Sequence, residues 1–287
     1  MLKTIRENIE RRLGIAARAS TVRRVEIIEN ADQWAGRYSR WRANDDLRGY
    51  TFVSNVHAPF TPARRALPML NLALISTAGA YIDGTQAFDT TAKDGDATFR
   101  EIPVEVAGED LRYAARGYDP AAVQQDRNAQ IPVERLLELE ANSVIGSLNQ
   151  VWWSLSGFIP NARLVADRLA PQIIERLNRY EVQAALLIPA SRLCHQTAAL
   201  LARAIEMSGI PTIMVGVDRA IVDSARPPRC GYYRGEFGSV AGKPNWSEYQ
   251  RRVVEEALRL IEPLDQPSVR RLTVELETEV EKSRGEK

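Results

Sequence analysis

The stretch Glu181-Val-Gln-Ala-Ala-Leu-Leu-Ile-Pro-Ala-Ser-Arg-Leu-Cys-His-Gln-Thr-Ala-Ala-Leu-Leu-Ala-Arg-Ala-Ile-Glu-Met-Ser-Gly-Ile-Pro-Thr-Ile-Met-Val-Gly216 constrains the fold more than any other. Ala184 to Ile188 is an apolar run with the length and bounded ends of a buried strand, closed by Pro189. From Thr197 to Met207 the apolar positions Ala198, Leu201, Ala202 and Ile205 follow a helical spacing that stops at Ser208-Gly209. Ile210 to Val215 opens a second strand. A strand, a crossover helix and a strand make the two strands parallel neighbours. Ligands of such sheets sit outside the carboxyl ends of the strands, where Ser191, Arg192, Cys194 and His195 fall.

The rest of the chain fits one α/β body, a parallel-sheet-based, flavodoxin-like or doubly wound sandwich over residues 51–264. A helical arm (1–50) and a charged helical tail (265–287) are expected at its ends. In the arm, Leu2, Ile5, Ile9 and Leu13 keep helical spacing, and Trp34, Tyr38 and Trp41 continue it. Three prolines between Phe52 and Met69, Pro59, Pro62 and Pro68, predict an extended approach to the core. Leu70 to Gly79 reads as a buried strand that ends in small residues, among them Thr77 and Gly79, where a ligand can approach backbone. Asp94 to Pro103 turns into a short strand, with Leu111 to Tyr118 its expected partner. Asp119 precedes Pro120 as a helix cap, and Val133 to Ala141 is a helix. Val144 to Leu148 is a strand or tight turn. Trp152, Trp153 and Phe158 line either core or pocket. A helix from Asn161 to Tyr180, a strand within Gly231 to Val240, and helices over Trp246 to Ile261 and from Gln266 onward complete the expectation.

Charge excludes some classes of function. Lysine plus arginine number 38 against 37 aspartates and glutamates, so no global field favours nucleic acid or an anionic membrane. A small molecule or another protein is the expected partner. Two cysteines, Cys194 and Cys230, are too few for a disulfide-stapled fold. Charges sit in the opening residues where a signal peptide needs an apolar core, and no apolar run reaches membrane-spanning length. A cytoplasmic protein is expected.

Cys194 is the strongest candidate for chemistry. A cysteine in the first turn of a helix feels unpaired backbone N–H groups and the positive end of the dipole, and Arg192 and His195 would hold a thiolate further. The alternative is a buried cysteine acting as a small hydrophobe. His195 would serve as general base, ion-pair partner or helix cap. His57, His195, Cys194 and Cys230 lack metal-ligand spacing, so no metal is expected. Gly238-Ser-Val-Ala-Gly-Lys243 is out of register for a phosphate loop, and no cofactor motif is read.

Taken in order, Phe60-Thr-Pro, Leu74-Ile-Ser-Thr-Ala-Gly79, Gly95-Asp-Ala-Thr-Phe-Arg-Glu-Ile-Pro103, Tyr118-Asp119, Asp126-Arg-Asn128 and Pro132-Val-Glu-Arg-Leu136 form a pattern. It continues with Val144-Ile-Gly-Ser-Leu148, Cys194-His-Gln196, Ala204-Ile-Glu-Met-Ser-Gly-Ile-Pro-Thr212 and Arg226-Pro-Pro-Arg229. Over about residues 58–262 the chain resembles component B of the glycine, sarcosine and betaine reductases and the related subunit of D-proline reductase. The resemblance implies reductive cleavage of a carbon–nitrogen bond, with selenocysteine or cysteine attacking the substrate carbon. It places that residue three before the cysteine of Cys-His-Gln, where this chain has Ser191. A dithiol or selenol–thiol pair at this spacing closes a bridge and releases two electrons; serine with cysteine does not.

Three readings follow. The first is a reductase-like enzyme acting on a small amine or amino-acid-like substrate through a Cys194 thiolate, with Ser191 and His195 beside it. Arg100 and Arg192 would hold a carboxylate, Asp96, Glu101, Asp119 or Asp126 an amine, and Cys230 would be a resolving thiol. The second is a non-catalytic scaffold or substrate-binding subunit of a hetero-complex. The third is a cysteine- or serine-dependent lyase or hydrolase without a redox step. A homo-oligomer or hetero-complex is expected.

Overall fold

The computed structural model describes residues 25–41 and 47–274; the first 24 residues of the expected arm and the tail from 275 lie outside the described residues. In chain order the elements are α1 (Ala31–Tyr38), β1 (Asn71–Ser76), β2 (Ala80–Ile82), β3 (Phe99–Pro103), β4 (Leu111–Tyr113), α2 (Ala121–Gln125), α3 (Val133–Ala141), β5 (Ser147–Leu148) and β6 (Val151–Leu155). There follow α4 (Ala170–Arg179), β7 (Ala184–Ile188), α5 (Arg192–Met207), β8 (Thr212–Gly216), α6 (Arg219–Ala225), β9 (Arg229–Tyr232), α7 (Ser247–Leu258) and β10 (Ser268–Arg271). A short helical turn (Ala162–Leu164) and a π-helical turn (Val165–Leu169) run into α4.

Eight strands form the main sheet, in the order β10-β9-β8-β7-β1-β6-β3, with β5 pairing β1. All neighbours are parallel except β3, which runs antiparallel to β6 at the edge. The run β6-β1-β7-β8-β9 is the 2-1-3-4-5 order of flavodoxin-like folds, so β1 and β7 flank the point where the winding reverses. Their register, Leu72 opposite Ala184 through Ser76 opposite Ile188, brings the two carboxyl ends level.

The apolar runs of β1, β7 and β8 are unbroken because helices cover both faces. Ile75, Leu187 and Met214 face α4, α5 and α6, where Ile173, Leu177, Leu201, Ile205 and Val222 are buried. Leu74, Leu186 and Ile213 face α3 and α7, with Leu136, Val253 and Leu258. Trp152 and Trp153 are core residues on opposite faces of β6.

Helix α5 is sheltered all round: every residue from Leu193 to Glu206 is buried. A helix in that position has to supply partners for its polar side chains. Gln196 accepts from the Val53 N–H at 2.7 Å and donates to the Tyr50 hydroxyl at 2.8 Å. Arg203 donates to the carbonyls of Glu26, Ile27, His57 and Arg226. Glu206 accepts from the Thr61 N–H at 2.5 Å and the Thr212 N–H at 2.7 Å, and pairs with Arg229 at 2.5 Å. The proline-rich segment therefore lies extended over α5, as its composition predicts. Several of the family-like motifs, Phe60-Thr-Pro, Glu206 to Thr212 and Arg226 to Arg229, meet in this one buried ionic knot, whose guanidinium stacks 4.1 Å from the Phe60 ring.

Three expectations are corrected. Leu111 to Tyr113 pairs with β2 in a separate two-stranded sheet, leaving β3 to pair with β6. The strand expected within Gly231 to Val240 is β9, which starts at Arg229 and ends at Tyr232. Ser268 to Arg271 is a strand on the edge of the sheet rather than the start of a helix, because its backbone completes the ladder of β9.

Candidate functional site

The carboxyl ends of β1, β6 and β7 converge on the sulfur of Cys194. Ser191 leaves β7 with extended backbone and caps α5: its Oγ accepts from the Cys194 N–H at 3.2 Å. The same hydroxyl donates to Cys194 Sγ at 3.0 Å. The sulfur faces the carbonyls of Thr77 at 3.8 Å and Ser156 at 4.0 Å. Thr77 locks the two flanking strands together, its N–H bonding to the Ile188 carbonyl at 3.1 Å and its Oγ accepting from the Ala190 N–H at 2.9 Å.

Two glycines make the close approach possible. Gly157 has a φ of 67°, and a Cβ there would lie 2.3 Å from Thr77 Cβ and 2.7 Å from Cys194 Sγ. Gly117, with a φ of 80°, covers the niche from outside. A Cβ on it would meet the Phe158 ring at 2.6 Å and Ser191 Oγ at 3.3 Å.

Electrostatics in the niche differ from the sequence expectation. Cys194 is 0% exposed, and burial raises its thiol pKa above the ordinary value against the opposing hydrogen bond from Ser191. The helix start does not lower it, because desolvation of the charged form outweighs the few donors present. His195 is also fully buried and is held down to a pKa of about 4, mainly by desolvation. Its Nδ1 lies 2.7 Å from the Ser191 carbonyl and its Nε2 accepts from the Val217 N–H at 3.0 Å. That pattern assigns a neutral ring protonated at Nδ1, stitching the start of α5 to the end of β8. No hydrogen bond joins the ring to Cys194; of the three roles left open for His195, its contacts are those of the helix start.

The remaining sequence candidates are dispersed. Arg192 is half exposed, paired with Asp218 at 3.2 Å and set over the Phe52 ring. Arg100 donates to the carbonyls of Gln86, Ala87 and Phe99 and stacks on Phe88. Asp96 holds the backbone of Asp89 and Thr98. Glu101 bonds Trp153 at 3.3 Å and lies 3.7 Å from Arg176. Asp119 accepts from the Ala121 N–H at 3.0 Å. Asp126 caps the turn at Asn128 and accepts from Gln250 and Asn245. Gly79 donates to the Leu155 carbonyl at 2.7 Å and stands against the Ala114 carbonyl. Of the named set, Ser191, Cys194, His195 and Thr77 are brought together, with Gly79 and Asp119 on the segments around them. Cys230 is buried within β9, in the sheet opposite Met214 and Val269, and burial raises its thiol too. Both cysteines are free.

Sequence reasoning passed over Ser156, Gly157 and Gly117. The signal for the first two was a Ser-Gly-Phe stop after an apolar strand, the same small-residue ending that marks β1. Among the described residues, no group of His, Cys, Asp and Glu has a metal-holding arrangement, and no helix is long and apolar enough to cross a membrane.

Fold and site together define a flavodoxin-like α/β protein with a serine–cysteine pair at the winding reversal. Comparison with known proteins bears out the family resemblance. The family model for glycine/sarcosine/betaine reductase selenoprotein B matches residues 101–190, ending one residue before Ser191. The chain is 28% identical over 200 residues to the D-proline reductase subunit gamma of Acetoanaerobium sticklandii, covering 70% of this chain and 81% of the relative. It is 28% identical over 172 residues to the glycine reductase complex component B subunit gamma of Symbiobacterium thermophilum (58% and 39% covered). It is 24% identical over 237 residues to the subunit of the same name from Peptoclostridium litorale (75% and 52%). The chain is thus a relative of these reductase components, and it spans about half or less of the length of the two glycine reductase subunits. No solved structure matches it.

Proposed function

We propose that this chain is a subunit of a multi-subunit reductase-type complex acting on a small amine or amino-acid-like substrate, with Cys194 as its reacting group. The observation that carries the reading is the contact of Ser191 Oγ with Cys194 Sγ at 3.0 Å, at the reversal point of the sheet. The family-like chemistry needs two sulfur or selenium atoms here, and this chain supplies one sulfur. The Cys194 thiolate would attack the substrate carbon; a carbon–sulfur bond forms and the amine leaves with a proton. A thiolate of a partner subunit then attacks Sγ. The carbon leaves with the bonding pair and takes a proton, and a mixed disulfide holds the two oxidised sulfurs. Cys230 is not the partner in this scheme, being enclosed in β9.

D-proline, glycine, sarcosine and betaine, named in the relatives, are the substrates to try first. Turnover by the co-purified complex in the presence of a dithiol is expected to disappear in Cys194→Ser while assembly is retained. Unchanged turnover in that variant sinks the chemical role, and purification as a single species without partners sinks the subunit role. The full burial of Cys194 favours a second reading, a scaffold that keeps the niche without using it. Turnover of oxidised Ser191→Cys separates the two: oxidant should convert the pair to a disulfide, seen as the loss of two hydrogens in the intact mass, and that form loses turnover if Cys194 reacts and keeps it if the niche is only a scaffold.

A further inference from the structure

We infer that residues 114–119 form a latched lid over the Ser191–Cys194 niche, and that Tyr118 is its latch. The segment joins β4 to α2 without regular structure of its own. Gly117 is solvent-exposed, yet a Cβ on it would lie only 3.3 Å from Ser191 Oγ. That hydroxyl is in turn 3.0 Å from Cys194 Sγ. The sulfur is therefore one hydroxyl behind an exposed glycine, and the cover there is one residue thick.

The cover is tied to the body by bonds outside the sheet ladder. The Tyr118 hydroxyl donates to the Ala78 carbonyl at 2.6 Å, directly beyond Thr77. Arg116 donates to the Ala92 carbonyl at 2.8 Å and lies 4.4 Å above the Phe158 ring. Ala114 donates to the Gly79 carbonyl at 2.9 Å. On the far side the Tyr118 ring and the Asp119 carbonyl pack closely on the Gly238 backbone, where a Cβ would lie 2.6 Å from the Asp119 oxygen and 2.9 Å from the ring. The other contacts of the sulfur, from Thr77, Ser156 and Ser191, come from the segments that follow β1, β6 and β7. A loop tied by side-chain and single backbone bonds rather than by a ladder opens by itself far more often than the core unfolds.

The lid gives Tyr118-Asp119 a role and reconciles a fully buried sulfur with chemistry on a soluble substrate. Closed, it keeps Cys194 dry and protonated. Open, it admits water and ligand together. Because desolvation is the largest cause holding the thiol up, opening is also what ionises it.

The chain carries its own control. Cys230 is buried in the middle of β9 and becomes reachable only when the sheet comes apart. The test is the rate at which a small alkylating reagent, iodoacetamide, modifies each cysteine in the intact chain, read by peptide mass, and it needs no turnover and no partner subunit. Alkylation then follows the population of the open form. Removing an ordinary hydrogen bond shifts such an equilibrium by roughly fivefold. Tyr118→Phe is expected to speed Cys194 labelling by that factor with Cys230 unchanged. Gly117→Ala, whose methyl collides with Phe158, is expected to do the same more strongly. If Cys194 labelling is unmoved in both variants, or rises only in step with Cys230, access runs through unfolding and the lid does not exist.

Discussion

His195 shows how a residue suited to catalysis can be spent on architecture. Both ring nitrogens are bonded to backbone, one at the start of α5 and one just beyond β8, and the ring has no route to the sulfur. Its depressed pKa has a consequence for stability. An unfolded chain takes up a proton near pH 6.5 that the folded chain refuses until about 4, so the His195 contribution is complete above 6.5 and drains away as pH falls towards 4. The loss amounts to about 3 kcal/mol at the acid end. Thermal melts of the native chain should drop between pH 6.5 and 4.5 more steeply than those of His195→Gln; parallel curves would contradict the assignment. Gly157 makes a second test at this scale. An alanine there would have to push Thr77 and Cys194 aside at a left-handed backbone position, and should lower stability by roughly 2–4 kcal/mol in denaturant titrations. The adjacency of Cys194 and His195 was legible in the sequence, but the distance between their functional atoms was not. Successive residues of a helix point about 100° apart. Burial likewise depends on who covers the helix, and the cover, Gly117 and Phe158, comes from far along the chain.

Among the elements, α5 carries the argument. Its apolar spacing made it readable as a crossover helix, and the strands on either side were readable from their unbroken apolar runs. What escaped was that its polar face is also buried. Arg203, Glu206 and Gln196 anchor backbone segments from residue 26 to residue 61. The Glu206–Arg229 pair should behave as a buried ion pair. Arg229→Met alone leaves a dry carboxylate uncompensated and should cost about 3–5 kcal/mol, and the further change Glu206→Leu should recover much of that loss. Chemical denaturation of the three variants checks it; additive losses would mean the pair is not coupled. Edge strands were the least readable elements. Ser268 to Arg271 is polar and only four residues long, so its sequence lacks the apolar pattern of a strand, and it is held by the ladder of β9 rather than by its side chains.

At the scale of the molecule, the order of the strands decides where chemistry can occur. The reversal between β1 and β7 leaves a crevice at their carboxyl ends, and both loops that close it, Thr77 to Gly79 and Pro189 to Ser191, are made of small residues. The family-like motifs divide accordingly. Those at Phe60, Glu206, Arg226 and Asp126 build the frame, and those at Thr77, Tyr118 and Cys194 surround the niche. On the proposed reading a partner chain supplies the second sulfur beside Cys194. The most direct measurement of that claim is mass spectrometry of the complex quenched during turnover without reductant. The peptide containing Cys194 should carry the carbon skeleton of the substrate, or a disulfide to a partner subunit, in proportion to the product formed. Product accumulating while that peptide stays unmodified, at every time point and with Cys194 still a free thiol, would contradict the account.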